Sequence, residues 1–200
     1  FFFSLIQLDL FLNYKKSNPK AENITLTNFK NLPFVTVQLP IYNEQNVIKR
    51  LLDAVVKMDY PSDKIEIQVL DDSDDNSTFY VKNLISKLKI KTNLKIEHII
   101  RNNREGFKAG ALKYGLKLAK GSYIAIFDAD FVPRSDWLRK TICGFEDPKI
   151  GVVQTKWNHI NKNFSLLTKV QAFALDIHFT LEQVGRNFTG YFLNFNGTAG

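Results

Sequence analysis

The feature that most constrains this chain is a regular alternation of short apolar runs with amphipathic stretches over residues 34–157. Short apolar runs between turn signals are typical of buried strands, whereas apolar side chains at steps of three and four residues indicate helices. Strands that alternate with helices imply crossover connections, which make neighbouring strands parallel. The sequence therefore predicts an α/β fold with a Rossmann-like, mostly parallel sheet flanked by helices.

Five strands and four helices can be assigned in this alternation. The strands are predicted at 34–39, 65–70, 94–100, 123–127 and 151–157, and the helices at 44–58, 76–89, 106–120 and 135–145. Gly121 follows the third helix, where a glycine commonly ends a helix. After residue 164 the helical spacing continues in one long amphipathic helix, which we expect to pack on the sheet through Leu167, Val170, Ala174, Ile177, Leu181 and Val184.

The first 33 residues differ from the rest, and we predict two domains, 1–33 and 34–200. Residues 1–12 are apolar but would span only about 18 Å as a helix, less than a membrane requires. Since the chain does not begin with Met, we expect a fragment that starts inside a transmembrane helix; the alternative is an amphipathic helix packed on the domain. Lys15, Lys16 and Lys20 suit a cytoplasmic flank. The polar residues 13–33 predict a linker.

Ligands of parallel α/β sheets bind beyond the carboxyl ends of the strands, so the polar residues that follow each strand are the candidate site. After the first strand, Tyr42 can stack on a base. Asn43 and Glu44 can bond to the edge of that base or cap the next helix.

An aspartate cluster, Asp71-Asp72-Ser73-Asp74-Asp75, follows the second strand. Asp71 and Asp72 are nearest to the strand and are candidates for base or ribose contacts. Asp74 and Asp75 are expected to serve the N-terminus of the next helix, where negative charge is favourable.

Glycines and a lysine follow the third strand, at the start of a helix. Gly106 and Gly110 allow backbone to approach a phosphate closely, and Lys108 can neutralise diphosphate charge. The alternative is a basic surface with glycines that serve packing.

Asp128-Ala129-Asp130, at the end of the fourth strand, is the sharpest signal in the chain. Two carboxylates one residue apart are hard oxygen ligands that suit Mg²⁺ or Mn²⁺ bridging a diphosphate. Such an ion would act as a Lewis acid on the leaving diphosphate. The alternative is that the carboxylates cap the next turn.

The net charge of +7 is compatible with an anionic partner. The lysines are scattered over faces where solvated helix surface is expected, and we predict no nucleic-acid partner. We find no Ser/His/Asp or Cys/His nucleophilic set in the sequence, and the three histidines lack metal-ligand spacing.

Taken together, the series PIYNE, VLDDSDD, REGFKAGAL, FDADF, VQTKW and FNGTAG resembles family 2 inverting glycosyltransferases of the GT-A fold over residues 34–200. The resemblance is closest to the cellulose-synthase-like branch that makes β-mannan and β-glucan backbones. It implies a metal-dependent transfer of a hexose from UDP-glucose or GDP-mannose to a growing β-glycan or a lipid acceptor, at a membrane, with the catalytic domain in the cytoplasm.

The resemblance also implies a role for each matching residue. The implied nucleotide-binding residues are Tyr42, Glu44, Asp71, Asp72, Lys108 and Asp128. Asp128 and Asp130 would hold the metal. The residues that would border the acceptor sugar are Gln154, Trp157, Asn196, Gly197 and Thr198. Members of the family carry the general base in a later Thr-Glu-Asp-like motif, so we expect this base beyond Gly200 and expect the fragment to be inactive alone.

Three other functions fit parts of the pattern. A haloacid-dehalogenase-type phosphatase would use Asp128 as nucleophile and Asp130 as acid/base, but that motif normally opens its domain. A prenyl-diphosphate enzyme would bind metal through an aspartate run on a helix, whereas this run follows a strand. The third is a sugar-nucleotide-binding subunit without catalysis.

Overall fold

The computed structural model describes residues 2–17 and 32–200. Its strands are β1 Val35–Ile41, β2 Ile65–Asp71, β3 Lys95–Ile100 and β4 Tyr123–Ile126. Its helices are α1 Phe2–Ser17, α2 Ile48–Val55, α3 Ser77–Lys91, α4 Phe107–Leu118, α5 Trp137–Ile142, α6 Leu166–Ile177 and α7 Val184–Thr189. A 3₁₀ turn, Cys143–Glu146, follows α5, and a π-helical turn, His178–Gln183, joins α6 to α7.

The four strands form one parallel sheet in the order β3-β2-β1-β4. β1 and β2 are buried at every position, as expected for strands covered on both faces. Because crossover connections are right-handed and β4 lies on the opposite side of β1 from β2, α2 and α3 cover one face and α4 covers the other. The predicted α/β fold with a mostly parallel sheet is confirmed.

Helix α4 lies close to the two central strands. Gly115 faces them, and a Cβ at this position would lie 2.7 Å from the Gln38 amide nitrogen and from a Leu70 methyl carbon. Ala111 packs with Leu70 and Ile99 in a small apolar cluster. This packing sets the N-terminus of α4 over the carboxyl edge of the sheet, which is where the candidate site lies.

The expected glycine cap at Gly121 is wrong. Helix α4 ends at Leu118, and Ala119, in an extended conformation, takes the capping position. Gly121 instead approaches β1: its N–H donates to the Thr36 hydroxyl at 2.8 Å, and a Cβ would overlap the Thr36 backbone nitrogen. Close approach of two backbones, rather than helix termination, explains this glycine.

The predicted fifth strand at 151–157 is also wrong, because these residues have no regular secondary structure. The edge of β4 that a fifth strand would pair with is taken by the end of the chain. Ala199 N–H donates to Ile126 O at 2.7 Å, and Ile126 N–H donates to Gly200 O at 3.0 Å. The apolar run at Val152 and Val153 predicted a strand but could not reveal this competing partner.

The chain divides into two compact units. The predicted domains 1–33 and 34–200 stay a prediction. One unit contains the sheet, with residues 32–154 and Asn196–Gly200. The other contains α1 and Thr155–Phe195. Of the predicted linker 13–33, residues 13–17 belong to α1 and residues 18–31 lie outside the described part of the chain.

In the second unit, α1 packs against the π-helical turn and α7. Leu10 is buried, and a Cβ at Gly185 would lie 2.6 Å from the Leu10 carbonyl oxygen. Gln7 donates to the Glu182 carboxylate at 2.8 Å. Leu167 and Val170 of the predicted apolar stripe are exposed. Within residues 2–17 and 32–200, no helix combines the length and hydropathy needed to cross a membrane.

Candidate functional site

Residues that follow all four strands converge on one cavity of about 240 Å³ at the carboxyl edge of the sheet. Of the residues predicted for the site, this cavity brings together Tyr42, Glu44, Asp72, Lys108 and Asp128. The remaining wall is formed by Pro40, Ile41, Arg104, Ala111 and Ala129. A cavity therefore lies beyond the carboxyl ends of the strands, where parallel α/β sheets bind their ligands.

The loops after β1 and β2 are tied together beside this cavity. The Tyr42 hydroxyl donates to Asp74 at 2.9 Å, and the Asn43 side-chain amide donates to the other Asp74 oxygen at 2.8 Å. These two bonds, from Asn43 first and then Tyr42, hold the pKa of Asp74 below its ordinary value. Asp74 therefore fixes the Tyr42 loop, and Asp75 accepts from the Ser77 N–H at 2.8 Å at the start of α3.

Arg104 is a residue of the cavity that sequence reasoning missed. Its guanidinium carbon lies 3.2 Å from the centroid of the Tyr42 ring and 5.1 Å from that of Phe107. A guanidinium stacked on an aromatic ring forms a flat, cationic surface. The signal for it in the sequence is an arginine in the loop after a strand, two residues before the glycine of the helix start.

Asp72 is held by Arg101, a second residue that the sequence did not single out. The Arg101 Nε donates to one Asp72 oxygen at 2.8 Å, and a terminal nitrogen of the same guanidinium pairs with the other. The parallel geometry of such a pair fixes the orientation of the carboxylate. Asp72 is therefore a rigid part of the cavity wall.

Asp71 does not join Asp72 in the cavity. It is 1% exposed; one of its oxygens lies 2.8 Å from His98 Nε2, and the other accepts from the Ser73 N–H at 2.9 Å. Burial alone would raise the pKa of Asp71, but the bonds from His98 and Ser73 outweigh it and lower the pKa. Both oxygens of this carboxylate are thus engaged inside the protein.

Lys108 lies on the first turn of α4 and points into the cavity. Its ammonium forms an ion pair with Asp128 and donates to the Gly197 carbonyl at 2.9 Å. The first N–H groups of a helix carry partial positive charge, which adds to that of the lysine. Lysine and helix start together form a site suited to phosphate groups.

Asp128 and Asp130 follow β4 with their side chains accessible to solvent. The Asp128 N–H donates to the Thr198 hydroxyl at 3.0 Å, which fixes the backbone of the motif. The pKa of Glu44 is raised, first by partial burial and then by the charges of Asp130 and Asp128. A negative field from these two aspartates therefore reaches Glu44, although Lys108 offsets the charge of Asp128.

That field and the two hard oxygen donors fit a divalent cation such as Mg²⁺ or Mn²⁺. Among the described residues, no group of three or more His, Cys, Asp or Glu side chains could hold a metal ion. A cation held by Asp128 and Asp130 would therefore take further oxygen ligands from a bound molecule or from water.

Four of the five residues predicted for the acceptor side lie together. The Gln154 amide donates to Thr198 O at 3.0 Å and accepts from the Asn196 N–H at 3.0 Å, and Gly197 turns between these partners with φ 79°. Trp157 belongs to the other unit, where its ring centroid lies 5.7 Å from that of Phe179.

A parallel α/β sheet that carries these residues at its carboxyl edge is a GT-A-like fold. Residues 36–199 match the profile of Glycosyl transferase family 2. The chain belongs to this family, as the motif resemblance predicted. Membership leaves the phosphatase and prenyl-diphosphate hypotheses without support.

Two similar curated proteins are plant enzymes. A probable glucomannan 4-beta-mannosyltransferase 2 from Oryza sativa subsp. japonica is 44% identical over 172 residues, which cover 84% of this chain and 30% of the relative. Glucomannan 4-beta-mannosyltransferase 2 from Arabidopsis thaliana is 42% identical over 174 residues, covering 85% and 33%. The chain thus spans about a third of the length of these relatives.

A solved structure shares the fold. The mannosyltransferase PcManGT from Pyrobaculum calidifontis, in complex with GDP-Man and Mn²⁺, matches with a TM-score of 0.63 and 30% identity. The match covers 75% of this chain and 44% of that protein.

Proposed function

We propose that this protein is a hexosyltransferase that moves mannose from GDP-mannose to a growing β-glycan with inversion at the anomeric carbon. The observation that carries this proposal is the cavity where an aromatic ring, a lysine at a helix start and Asp128, the first aspartate of the Asp-Ala-Asp motif, meet. The mannosyltransferase relatives and the GDP-Man and Mn²⁺ complex of the similar structure support mannose as the sugar. UDP-glucose is the competing donor.

The base and ribose bind on the side formed by the loops after β1 and β2. Tyr42 and Arg104 offer a flat surface on which a base can stack. Asp72, held by Arg101, presents a carboxylate of fixed orientation that can accept hydrogen bonds from the base or the ribose. Glu44 lines the same cavity.

The diphosphate lies between the start of α4 and the end of β4. Lys108 would exchange its ion pair with Asp128 for a phosphate oxygen, and Asp128 and Asp130 are the residues that would hold a metal ion. When bound, that ion supplies Lewis-acid neutralisation of the leaving diphosphate. Lys108 and the helix start stabilise the same charge through preorganised N–H groups.

The acceptor sugar approaches from the side of Gln154 and the turn Asn196-Gly197-Thr198. Lys108 contacts both this turn and Asp128, so the turn borders the phosphate side of the cavity. A glycan or lipid hydroxyl held here would attack the anomeric carbon while the bond from this carbon to the diphosphate oxygen breaks, and the hydroxyl proton would pass to the general base expected in the later Thr-Glu-Asp-like motif. We further propose that the protein acts at a membrane with its catalytic domain in the cytoplasm.

Calorimetric titration of the full-length protein with GDP-mannose and UDP-glucose, each with and without Mn²⁺, tests the proposal. We expect GDP-mannose to bind more tightly, and only in the presence of Mn²⁺. Tighter binding of UDP-glucose would show that UDP-glucose, not GDP-mannose, is the donor. Binding of neither sugar nucleotide would refute the proposal. Metal-dependent binding without transfer to a mannan oligosaccharide would instead indicate a sugar-nucleotide-binding subunit.

A further inference from the structure

Arg101, at the end of β3, reaches two parts of the cavity wall with one guanidinium. Besides its pair with Asp72, one terminal nitrogen donates to Glu105 O at 2.9 Å and the other donates to Phe107 O at 3.2 Å. A single side chain thereby connects the carboxylate on the base side to the loop 105–107, which leads directly into Lys108.

The loop 105–107 has an unusual backbone conformation, and the Arg101 side chain is hydrogen-bonded to it. Gly106 has φ 69° and Phe107 has φ 49°, a region that non-glycine residues rarely adopt. Phe107 is 65% exposed, so burial of its side chain does not explain the conformation. The guanidinium bonds to the carbonyls on both sides of Gly106, and a Cβ at Gly110 would lie 2.7 Å from the Arg101 Nη1.

The pair is also shielded from water. The Arg101 side chain is 9% exposed and that of Asp72 is 5% exposed. A shielded carboxylate that loses its cationic partner is strongly disfavoured in its place. Removing Arg101 would therefore disturb Asp72 and the loop before Lys108 at the same time.

We propose that Arg101 is a positioning residue that sets the base side and the phosphate side of the donor cavity in one geometry. This inference rests on the proposed function, because it assigns Asp72 and Lys108 to the two ends of the same nucleotide. Arg101 acts through these residues and through the loop 105–107, which its guanidinium holds in the left-handed conformation.

The test compares Arg101→Ala, Arg101→Lys and Arg139→Ala in the full-length protein, with GDP-mannose and Mn²⁺ as the titrant. We expect Arg101→Ala to lower donor affinity at least about tenfold. The donor affinity of Arg101→Lys should be nearly as low as that of Arg101→Ala, because an ammonium cannot make the parallel pair with Asp72 and also reach both carbonyls. Arg139 makes an exposed ion pair with Asp59 outside the cavity lining, so Arg139→Ala is the control for loss of an arginine–aspartate pair, with unchanged affinity.

A second measurement separates positioning from simple loss of stability. Guanidinium ion, added below denaturing concentration, should raise the donor affinity of Arg101→Ala and leave that of Arg139→Ala unchanged. Wild-type affinity in Arg101→Ala, or full recovery in Arg101→Lys, would overturn the inference. If Arg101→Ala does not fold, Arg101→Lys decides alone. Failure of the wild-type protein to bind GDP-mannose or UDP-glucose would overturn the proposed function instead.

Discussion

The Arg104 guanidinium stacks on the Tyr42 ring, with its carbon 3.2 Å from the ring centroid. The tyrosine hydroxyl is anchored at Asp74, so the ring is held by one edge while the arginine covers one face. A base that enters the cavity can stack on this pair, either on the ring or in exchange with the guanidinium. The pair thus offers contact to a base without selecting among bases.

The first prediction concerns this stack. Tyr42→Ala should weaken GDP binding about tenfold, because the aromatic platform is lost. Tyr42→Phe keeps the ring and loses only the bond to Asp74, so its affinity should lie close to that of the wild-type protein. Fluorescence titration with a labelled GDP measures both. Equal losses in the two variants would show that the hydroxyl, not the ring, matters.

The second prediction concerns the metal. Asp130→Asn keeps the size of the side chain but removes one charge, so we expect Mn²⁺-dependent binding of GDP-mannose to disappear. EDTA should have the same effect on the wild-type protein. Asp147→Asn, an exposed carboxylate after the 3₁₀ turn, is the control and should bind normally. Metal-dependent binding that survives in Asp130→Asn would remove this residue from the site.

Local sequence patterns were enough to predict the four strands of the sheet. The four strands of the sheet lay within about two residues of their predicted bounds, because each is an apolar run between turn signals. The predicted strand at 151–157 was wrong because the pairing edge of β4 is occupied by residues from the far end of the chain. A local pattern does not contain a partner so distant in sequence.

Part of the candidate site could likewise be predicted from sequence and part could not. Strand-end position placed Tyr42, Asp72, Lys108 and Asp128 in one cavity. It could not separate Asp71 from Asp72, although a strand alternates its side chains between two faces. It also missed Arg101 and Arg104, since their roles depend on contacts across the sheet edge rather than on neighbours in sequence.

The third prediction concerns the buried pair of Asp71 and His98. Since the folded-state pKa of Asp71 is lowered, its contribution to stability is present above the unfolded-state pKa and is lost as the pH falls through the folded-state pKa. Asp71→Asn should lower the free energy of unfolding by about 3 kcal/mol near neutral pH. The difference from the wild-type protein should shrink below about pH 4.

Urea unfolding at a series of pH values measures this difference. Asp53→Asn, which disturbs only an exposed pair with Lys49, should change the free energy of unfolding by less than about 1 kcal/mol at any pH. A difference for Asp71→Asn that does not vary with pH would contradict the assigned pKa shift.

The fourth prediction tests why Gly121 is a glycine. Because a Cβ there would overlap the Thr36 backbone nitrogen, Gly121→Ala must push β1 and the α4–β4 connection apart. Overpacking of this kind should lower the free energy of unfolding by about 1–3 kcal/mol.

Gly151→Ala is the matched control, because a Cβ at Gly151 would meet no atom within 4 Å and its φ is not in the left-handed region. If the two variants unfold at the same urea concentration, close packing of the backbones does not explain Gly121. If only Gly121→Ala is destabilised, the contact between Gly121 and Thr36 is what aligns the start of β4 with β1, and through β4 the Asp-Ala-Asp motif at its other end.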